Sequence, residues 1–371
     1  MCSESMSYAE IHLDNLNKNI QAVRAAITPG TKICAMLKAN AYGHGQTQIA
    51  RQCGKAGVEY IGVATPFEGC EVRKAGIELP IIVFDAILKE NIHVVIKYGL
   101  TQTVFSLEIL EELQQQAAKA GIKIPVHVQY DTGFSRVGIQ EGELAELLRA
   151  FSKYGNIAFE GFYTHFTASG ASDKTEAYRQ MERFQKALKK VREAGFAPIA
   201  HASNSGGILG LEQCGLDMVR PGIMLYGYYP SEHVRGNVPL YPVLQWKTHI
   251  VQVKTVAPNT GVGYDGTFIT RRITRIATLP VGYGDGLKRL IGNTGCVLIG
   301  GQRAPVIGTV CMDLCMADIT DIDNAKEGDE AVLLGSQGCE EIDADEMARW
   351  AKTISYEILS SLSPRVQRLY I

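Results

Sequence analysis

The run ICAML at residues 33–37 is followed at once by Lys38. A lysine closing an apolar run is poorly placed for an ordinary solvated role. Burial disfavours its charged form and lowers its pKa, which makes it a usable amine nucleophile or base. Such an amine suits an imine link to an aldehyde cofactor. By position alone, the same lysine could snorkel to solvent. Ser205-Gly206-Gly207 and Gly222-Ile223 offer backbone N–H groups and a hydroxyl to a phosphate, or simply punctuate turns. His165 and His201 each end a short apolar run, as catalysts or as satisfied core histidines. Tyr264 sits in the glycine-rich stretch GVGYDG at 261–266. It acts as a base only if a nearby cation lowers its phenol from about 10; otherwise it is a turn aromatic packed on a neighbour. Cys311 and Cys315 are four apart, but no second pair or close histidine completes a zinc pattern. No metal site is expected.

These residues need a frame. Eight β-rich runs occur at 33–37, 60–64, 81–84, 103–105, 126–130, 161–164, 199–202 and 218–219. Helix-like segments with polar faces lie between them, as at 107–120, 141–154 and 176–194. This is the rhythm of βα units. Eight such units fit a closed parallel barrel better than an open sheet of about five to seven strands. No G-x-G-x-x-G opens a helix after the first strand, and no G-x-x-x-x-G-K-[ST] occurs, which weakens the common nucleotide-binding alternatives. In a barrel, active sites gather at the C-terminal strand ends. Those ends here carry Lys38, then Asp131 to Arg136, Thr164-His165, Ser203 to Gly207, and Arg220 to Gly222. The pattern changes near 230–240, a polar stretch with Pro230, Gly236, Pro239 and Pro242. Beyond it, alternating runs at 246–256, 273–279, 295–299, 305–310 and 331–335 read as antiparallel β structure. One late helix is expected from Asp343, its N-cap, to about Ser361. The expected fold class is therefore α/β: an N-terminal (β/α)8 TIM-type barrel over 1–235 and a C-terminal, mainly antiparallel β domain over 236–371.

The composition excludes other classes. Of 371 residues, 46% are hydrophobic and 20% charged, enough to bury a real core. Lys plus Arg number 37 and Asp plus Glu 39, a formal charge of -2 that gives no global attraction to nucleic acid or an anionic membrane. Residues 1–10 show no basic then apolar leader, and no apolar run approaches the roughly 18–20 residues that span a bilayer. Nine scattered cysteines, an odd number, point to a reducing compartment, with most thiols acting as small apolar residues. A cytoplasmic globular enzyme is the leading class.

Eight motifs in order resemble the alanine racemase family: MLKANAYGHG at 36–45, YDTG at 130–133 with Arg136, THF at 164–166, NS at 204–205, VRPG at 219–222, GY at 263–264, VGYGD at 281–285 and VCMD at 310–313. The resemblance covers nearly the whole chain and implies a racemase interconverting L- and D-alanine with pyridoxal 5'-phosphate. Lys38 would hold the cofactor and act as base on one face of Cα. Tyr264 would act on the opposite face, reaching in from the partner of a head-to-tail homodimer with shared active sites. The resemblance further implies that Tyr42, Ser205, Gly222 and Ile223 hold the phosphate, with Asn204 beside them. His165 would stack on the pyridine ring, and Arg220, oriented by His201, would face the ring nitrogen. Arg136 and the backbone of Met312 would meet the substrate carboxylate, and Tyr283 would narrow the entrance. The implied product is D-alanine for cell-wall peptidoglycan. A broader substrate range, or a cofactor carrier without catalysis, are the alternatives.

Arginine at the ring nitrogen has a chemical consequence. Its pKa lies above about 12 and it does not readily release a proton. The ring nitrogen would stay unprotonated and the electron sink limited, which suppresses transamination. Two departures from the family pattern stand out. Gln129 occupies the place of a lysine that becomes carbamylated near Arg136, so Arg136 needs another support, such as the Gln amide, an anion or Asp131. Pro364, in SSLSPRV at 360–366, stands where a tyrosine is usual. It lacks a hydroxyl and leaves room beside the substrate; Asp265, directly after Tyr264, is also less usual, in place of a small residue. Serine or another small amino acid is therefore expected to compete with alanine.

Overall fold

The computed structural model describes residues 6–212 and 216–371; Cys2 and Cys214 fall outside them. After a first strand, β1 (Ser7–Ile11), the eight apolar runs become β2 (Lys32–Met36), β3 (Tyr60–Val63), β4 (Ile81–Val83), β5 (Thr101–Val104), β6 (Ile124–Gln129), β7 (Ile157–Tyr163), β8 (Ile199–Asn204) and β9 (Met218–Arg220). Each pairs in parallel with the next, and β9 closes on β2 through Lys32–Met218 and Ile33–Val219. These strands are buried on both faces, which is why they read as continuous apolar runs.

The connecting helices follow local rules. Ser106 caps Leu107–Ala120 by accepting from the Ile109 N–H at 3.4 Å, and Gly121 ends it in the left-handed region. Leu110, Leu113 and Ala117 recur three and four residues apart and are the buried face.

Beyond the barrel, β10 (Leu244–His249), β11 (Gln252–Val256), β12 (Gly261–Val262), β13 (Phe268–Ile269), β14 (Thr274–Leu279), β15 (Cys296–Ile299), β16 (Gln302–Pro305), β17 (Cys315–Asp318), β18 (Glu330–Gln337), β19 (Glu340–Ile342) and β20 (Gln367–Tyr370) follow. They form a seven-stranded sheet in the order β16-β15-β18-β10-β1-β20, with β19 on β18, a three-stranded sheet β11-β14-β17 and the pair β12-β13. Most pairings are antiparallel; β1 with β20 is parallel. The α/β class holds, as a closed eight-stranded parallel barrel plus a mainly antiparallel β region.

Contacts divide the chain into two units. One comprises Leu16–Ala41 and Gln46–Tyr241; the other comprises Tyr42–Gly45, Pro242–Ile371 and the N-terminal residues through Asn15. A boundary at 235 puts residues 1–15 with the barrel, whereas β1 lies between β10 and β20. Its partners stand more than two hundred residues away in the chain, so no local pattern could assign them.

The expected late helix is two helices, Ala344–Ala351 and Ser355–Ser360. Asp343 caps the first, accepting from the Glu346 N–H at 2.6 Å. Lys352 then turns left-handed at φ 53°, and Thr353 N–H donates back to the Ala348 carbonyl. That conformation costs a residue with a Cβ roughly 1–2 kcal/mol. Lys352→Gly is therefore expected to stabilise the protein by about 1 kcal/mol, read as a higher denaturant midpoint at unchanged slope. A lower midpoint would refute the strain.

All seven described cysteines are free thiols, and Cys34, Cys53 and Cys315 are pushed up to about 12 by burial. These three and Cys70 are buried and pack as small apolar groups. Among the described residues no helix is long and apolar enough to cross a membrane.

Candidate active site

The chain leaves β2 through Leu37, whose N–H donates to the Gly62 carbonyl at 2.7 Å, and reaches Lys38 at the barrel mouth. Ala39, Asn40, Ala41 and Tyr42 then all take φ between 52° and 54°. Four consecutive left-handed residues are strained, at roughly 1–2 kcal/mol each. Side chains hold the turn in place: Glu68 accepts the Ala39 N–H and Asn40 the Gln46 N–H, each at 2.8 Å. Strain of this kind persists where surrounding structure over-determines it, typically at functional sites.

Lys38 as a whole residue is exposed, while protein surrounds much of its amine. Its amine lies below the ordinary lysine value, first through burial and then through the positive charge of Arg136; Asp85 and Glu68 oppose the shift. A larger neutral fraction makes it a better base and nucleophile.

Arg220 ends β9 and is buried. Its guanidinium donates to the carbonyls of Thr164 at 2.8 Å and Ala202 at 2.9 Å, and meets His201 Nδ1 at 2.6 Å. His165 Nδ1 stands 3.4 Å away. Burial lowers Arg220 to about 10, so it stays protonated at neutral pH. Guanidinium cannot accept a hydrogen bond. The direction of the whole line beneath it follows. His201 Nδ1 accepts, so the proton sits on Nε2, which donates to His127 Nδ1 at 2.9 Å. His127 Nε2 then carries its own proton and donates to Glu160 Oε2 at 3.3 Å. Both imidazoles are neutral links between a fixed cation and a carboxylate.

Neither His127 nor Glu160 emerged from the sequence as a site residue. A signal existed: His127 is polar among Val126 and Val128 in β6, and Gly161 lies opposite it in β7. A Cβ at Gly161 would lie 2.2 Å from His127 Nδ1, so the glycine makes room for the ring.

Burial lowers His127, and lowers His165 and His201 well below 6.5; Arg220 adds to each shift, as do Arg136 and Lys38 for His165. The unfolded chain binds these protons below about pH 6.5 while the folded chain does not. Each histidine's contribution is complete above that pH and declines below it, by up to about 1.4 kcal/mol per pH unit. The denaturant midpoint should fall between about pH 7 and 5, and fall less in His127→Gln. Identical slopes for the two proteins would sink this account.

At the next strand ends, Asn204 caps the turn Ser205–Gly210, accepting from Gly207 N–H at 3.0 Å and Ser169 Oγ at 2.9 Å. Ser205 Oγ accepts from Gly222 N–H at 2.9 Å and Met224 N–H at 3.4 Å. Gly222 and Ile223 are buried beside it. A Cβ at Gly206 would lie 2.7 Å from Ser169 Oγ and 2.9 Å from the Gly170 nitrogen, so these glycines keep a close-walled cradle of hydroxyl and amide groups. Its chemistry suits a phosphate.

Lys38, Arg136, His165, His201, Asn204, Ser205, Arg220, Gly222 and Ile223 thus belong to the barrel unit. Tyr42, Tyr264, Tyr283 and Met312 belong to the other. Tyr42 is buried, 6.1 Å from Tyr356 between ring centres, and burial raises its phenol. Tyr264 stands 67% exposed in a turn with Gly263 and Asp265 left-handed. It lines a groove with Val262, Cys311, Met312, Leu314 and Met316. Met312 and Tyr283 are also exposed. Their two loops are joined: Tyr283 N–H donates to Cys311 O and Gly284 N–H to Met312 O, while Arg365 bridges Asp285 at 3.2 Å and Asp313 at 2.8 Å. Among the described residues no cluster of His, Cys, Asp and Glu could hold a metal ion.

Comparison with known proteins agrees over the whole chain. A family model for the alanine racemase N-terminal domain matches residues 11–230, and one for the alanine racemase C-terminal domain matches residues 243–370. The alanine racemase of Halothermothrix orenii is 42% identical over 365 residues, 98% of this chain and 96% of the relative. A solved alanine racemase from Clostridium difficile superposes with TM-score 0.95 at 37% identity, covering 100% of this chain and 97% of that one. Another, from Bartonella henselae with covalently bound pyridoxal phosphate, superposes with TM-score 0.88 at 29% identity, covering 99% and 100%.

Proposed function

From the premise that this chain belongs to the alanine racemase family, we propose that it interconverts L- and D-alanine with pyridoxal phosphate by two bases, Lys38 and Tyr264. One observation carries the reading: Arg220 stands 3.4 Å from His165 Nδ1, and the same imidazole meets the Phe134 ring over which Arg136 lies, while the charge of Arg136 also lowers the Lys38 amine. An amine of lowered basicity, a cation for a carboxylate and a donor that keeps its proton thus share one barrel mouth.

The donor set fits the cofactor. Ser205 Oγ and the amides beside Gly222 and Ile223, with Tyr42, would hold the phosphate, and Lys38 would hold the coenzyme through its amine. Arg220 would donate to the ring nitrogen without surrendering a proton, and His165 would stack on the ring. Bound there, the coenzyme supplies an electron sink for the charge left when Cα loses its proton.

The remaining chemistry belongs to the chain. Arg136 and the Met312 amide orient the substrate carboxylate. Lys38 exchanges the α-proton on one face. Tyr264 exchanges it on the other, contributed by a second copy of this chain, and the exposed groove around Tyr264 supports that second copy. Racemisation requires removal on one face and delivery on the other, so two bases serve where a single one would have to move. Tyr283 narrows the entrance. A cytoplasmic homodimer supplying D-alanine for peptidoglycan completes the reading.

The test is conversion of L-alanine to D-alanine by protein reconstituted with pyridoxal phosphate, followed by chiral chromatography. Protein loaded with coenzyme yet producing no D-alanine would overturn the proposal. The same assay with serine measures how far Pro364 widens the range.

A further inference from the structure

We propose that the ring of Phe134 positions Arg136, doing by a cation–π contact what no carboxylate among the described residues does. The inference rests on the reading above for Arg136's substrate role; the contact itself does not depend on that reading.

The loop after β6 commits its other candidates elsewhere. Asp131 Oδ1 accepts the Gly133 and Phe134 N–H groups at 2.9 Å and the Ser135 N–H at 3.2 Å. Its Oδ2 takes the Ser135 N–H at 3.2 Å and the Gln140 amide at 3.1 Å. Its acceptor sites are thus engaged within the loop. Gln129 is buried, and its amide donates to the Val137 carbonyl at 3.2 Å. What remains is the ring: the Arg136 guanidinium carbon lies 4.3 Å from the Phe134 centroid.

Backbone geometry makes this possible. In an extended chain, residues separated by one neighbour share a face, but their side chains run parallel and about 7 Å apart. Ser135, between them, is left-handed at φ 58°. The reversal folds the arginine back over the ring. The ring is held from another side as well, meeting His165 edge-to-face at 5.4 Å and 71°. Phe134 thereby ties the carboxylate-binding cation to the imidazole expected against the coenzyme. A ring attracts the cation without neutralising it. The full charge stays available to a substrate carboxylate, and the device needs neither carbon dioxide nor a bound anion.

The experiment uses Phe134→Met, which keeps apolar bulk without a ring, and Phe134→Tyr, which keeps the ring. In cofactor-free wild-type protein, the Arg136 Nε–H resonance, assigned by its loss in Arg136→Lys, should be shifted upfield by the ring. It should return to the ordinary position in Phe134→Met and stay shifted in Phe134→Tyr. Arg136 is exposed, so in the holoenzyme Phe134→Met should raise the alanine KM about 2- to 5-fold with kcat little changed, and Phe134→Tyr should restore it. Wild-type KM should be the same with or without chloride or bicarbonate. An unshifted wild-type resonance overturns the proposal even if Phe134→Met fails to fold. So does a KM unaffected by Phe134→Met, or a wild-type KM that falls on adding chloride, which would assign the task to an anion. Absence of racemisation in wild type, with the resonance shifted as expected, would instead refute the racemase reading alone.

Discussion

Lys38→Ala should lower racemisation by at least about 10⁴-fold, because in the proposed mechanism it removes both a proton-transferring group and the anchor of the cofactor. Lys38→Arg should be equally inactive. Guanidinium holds its proton, and its planar fork does not replace a nucleophilic amine. The wild-type amine is lowered by burial and by Arg136, so charge alone is not its contribution. Borohydride treatment of the loaded wild-type protein should fix the coenzyme onto the peptide carrying Lys38, whereas Lys38→Ala should show no such label. Activity of either variant within about tenfold of wild type, or a label mapped to another lysine, would return Lys38 to the role of a snorkelling side chain.

Tyr264→Phe should lose about 10²- to 10⁴-fold in racemisation while keeping the visible absorbance of the bound coenzyme. With Lys38 intact, one face of Cα remains served. In deuterium oxide one antipode of alanine should therefore exchange its α-proton without inversion, and the other should not. A mixing experiment locates the tyrosine. Lys38→Ala and Tyr264→Phe chains, refolded together in equal amounts, form mixed dimers with one intact site if Tyr264 crosses to the partner. Random pairing then restores about a quarter of wild-type activity. No recovery, with mixed dimers demonstrated, would mean that Tyr264 serves its own chain. Symmetric exchange of both antipodes in Tyr264→Phe would remove it from catalysis.

The barrel was legible in the chain because each of its strands is a short apolar run broken by polar residues, a signal that survives without knowing the partners. Other elements shift or divide for non-local reasons. The run at 246–256 divides into β10 and β11, which join different sheets. The run expected at 305–310 contributes only Pro305, at the end of β16; β17 at Cys315–Asp318 was missed. Polar Thr309 and Gly308 instead lead toward the loop that carries Met312.

The candidate site residues divide along the same line. Composition and motif order determined the barrel, the amine at its first strand end and the arginine at its last, because burial preference and chemical identity are properties of a residue and its near neighbours. The resemblance already set His201 against Arg220; only the tertiary structure decided that His127 and Glu160 stand behind His201, since that line exists through the register of β6, β7 and β8. Only it decided that Phe134, rather than Gln129 or Asp131, faces Arg136, since the answer turns on a left-handed residue between them. Hydrogen bonds and cation–π contacts act over a few ångströms; which groups come that close is settled by strand pairing between distant parts of the chain for the histidine line, and by the path of one loop for Phe134 and Arg136.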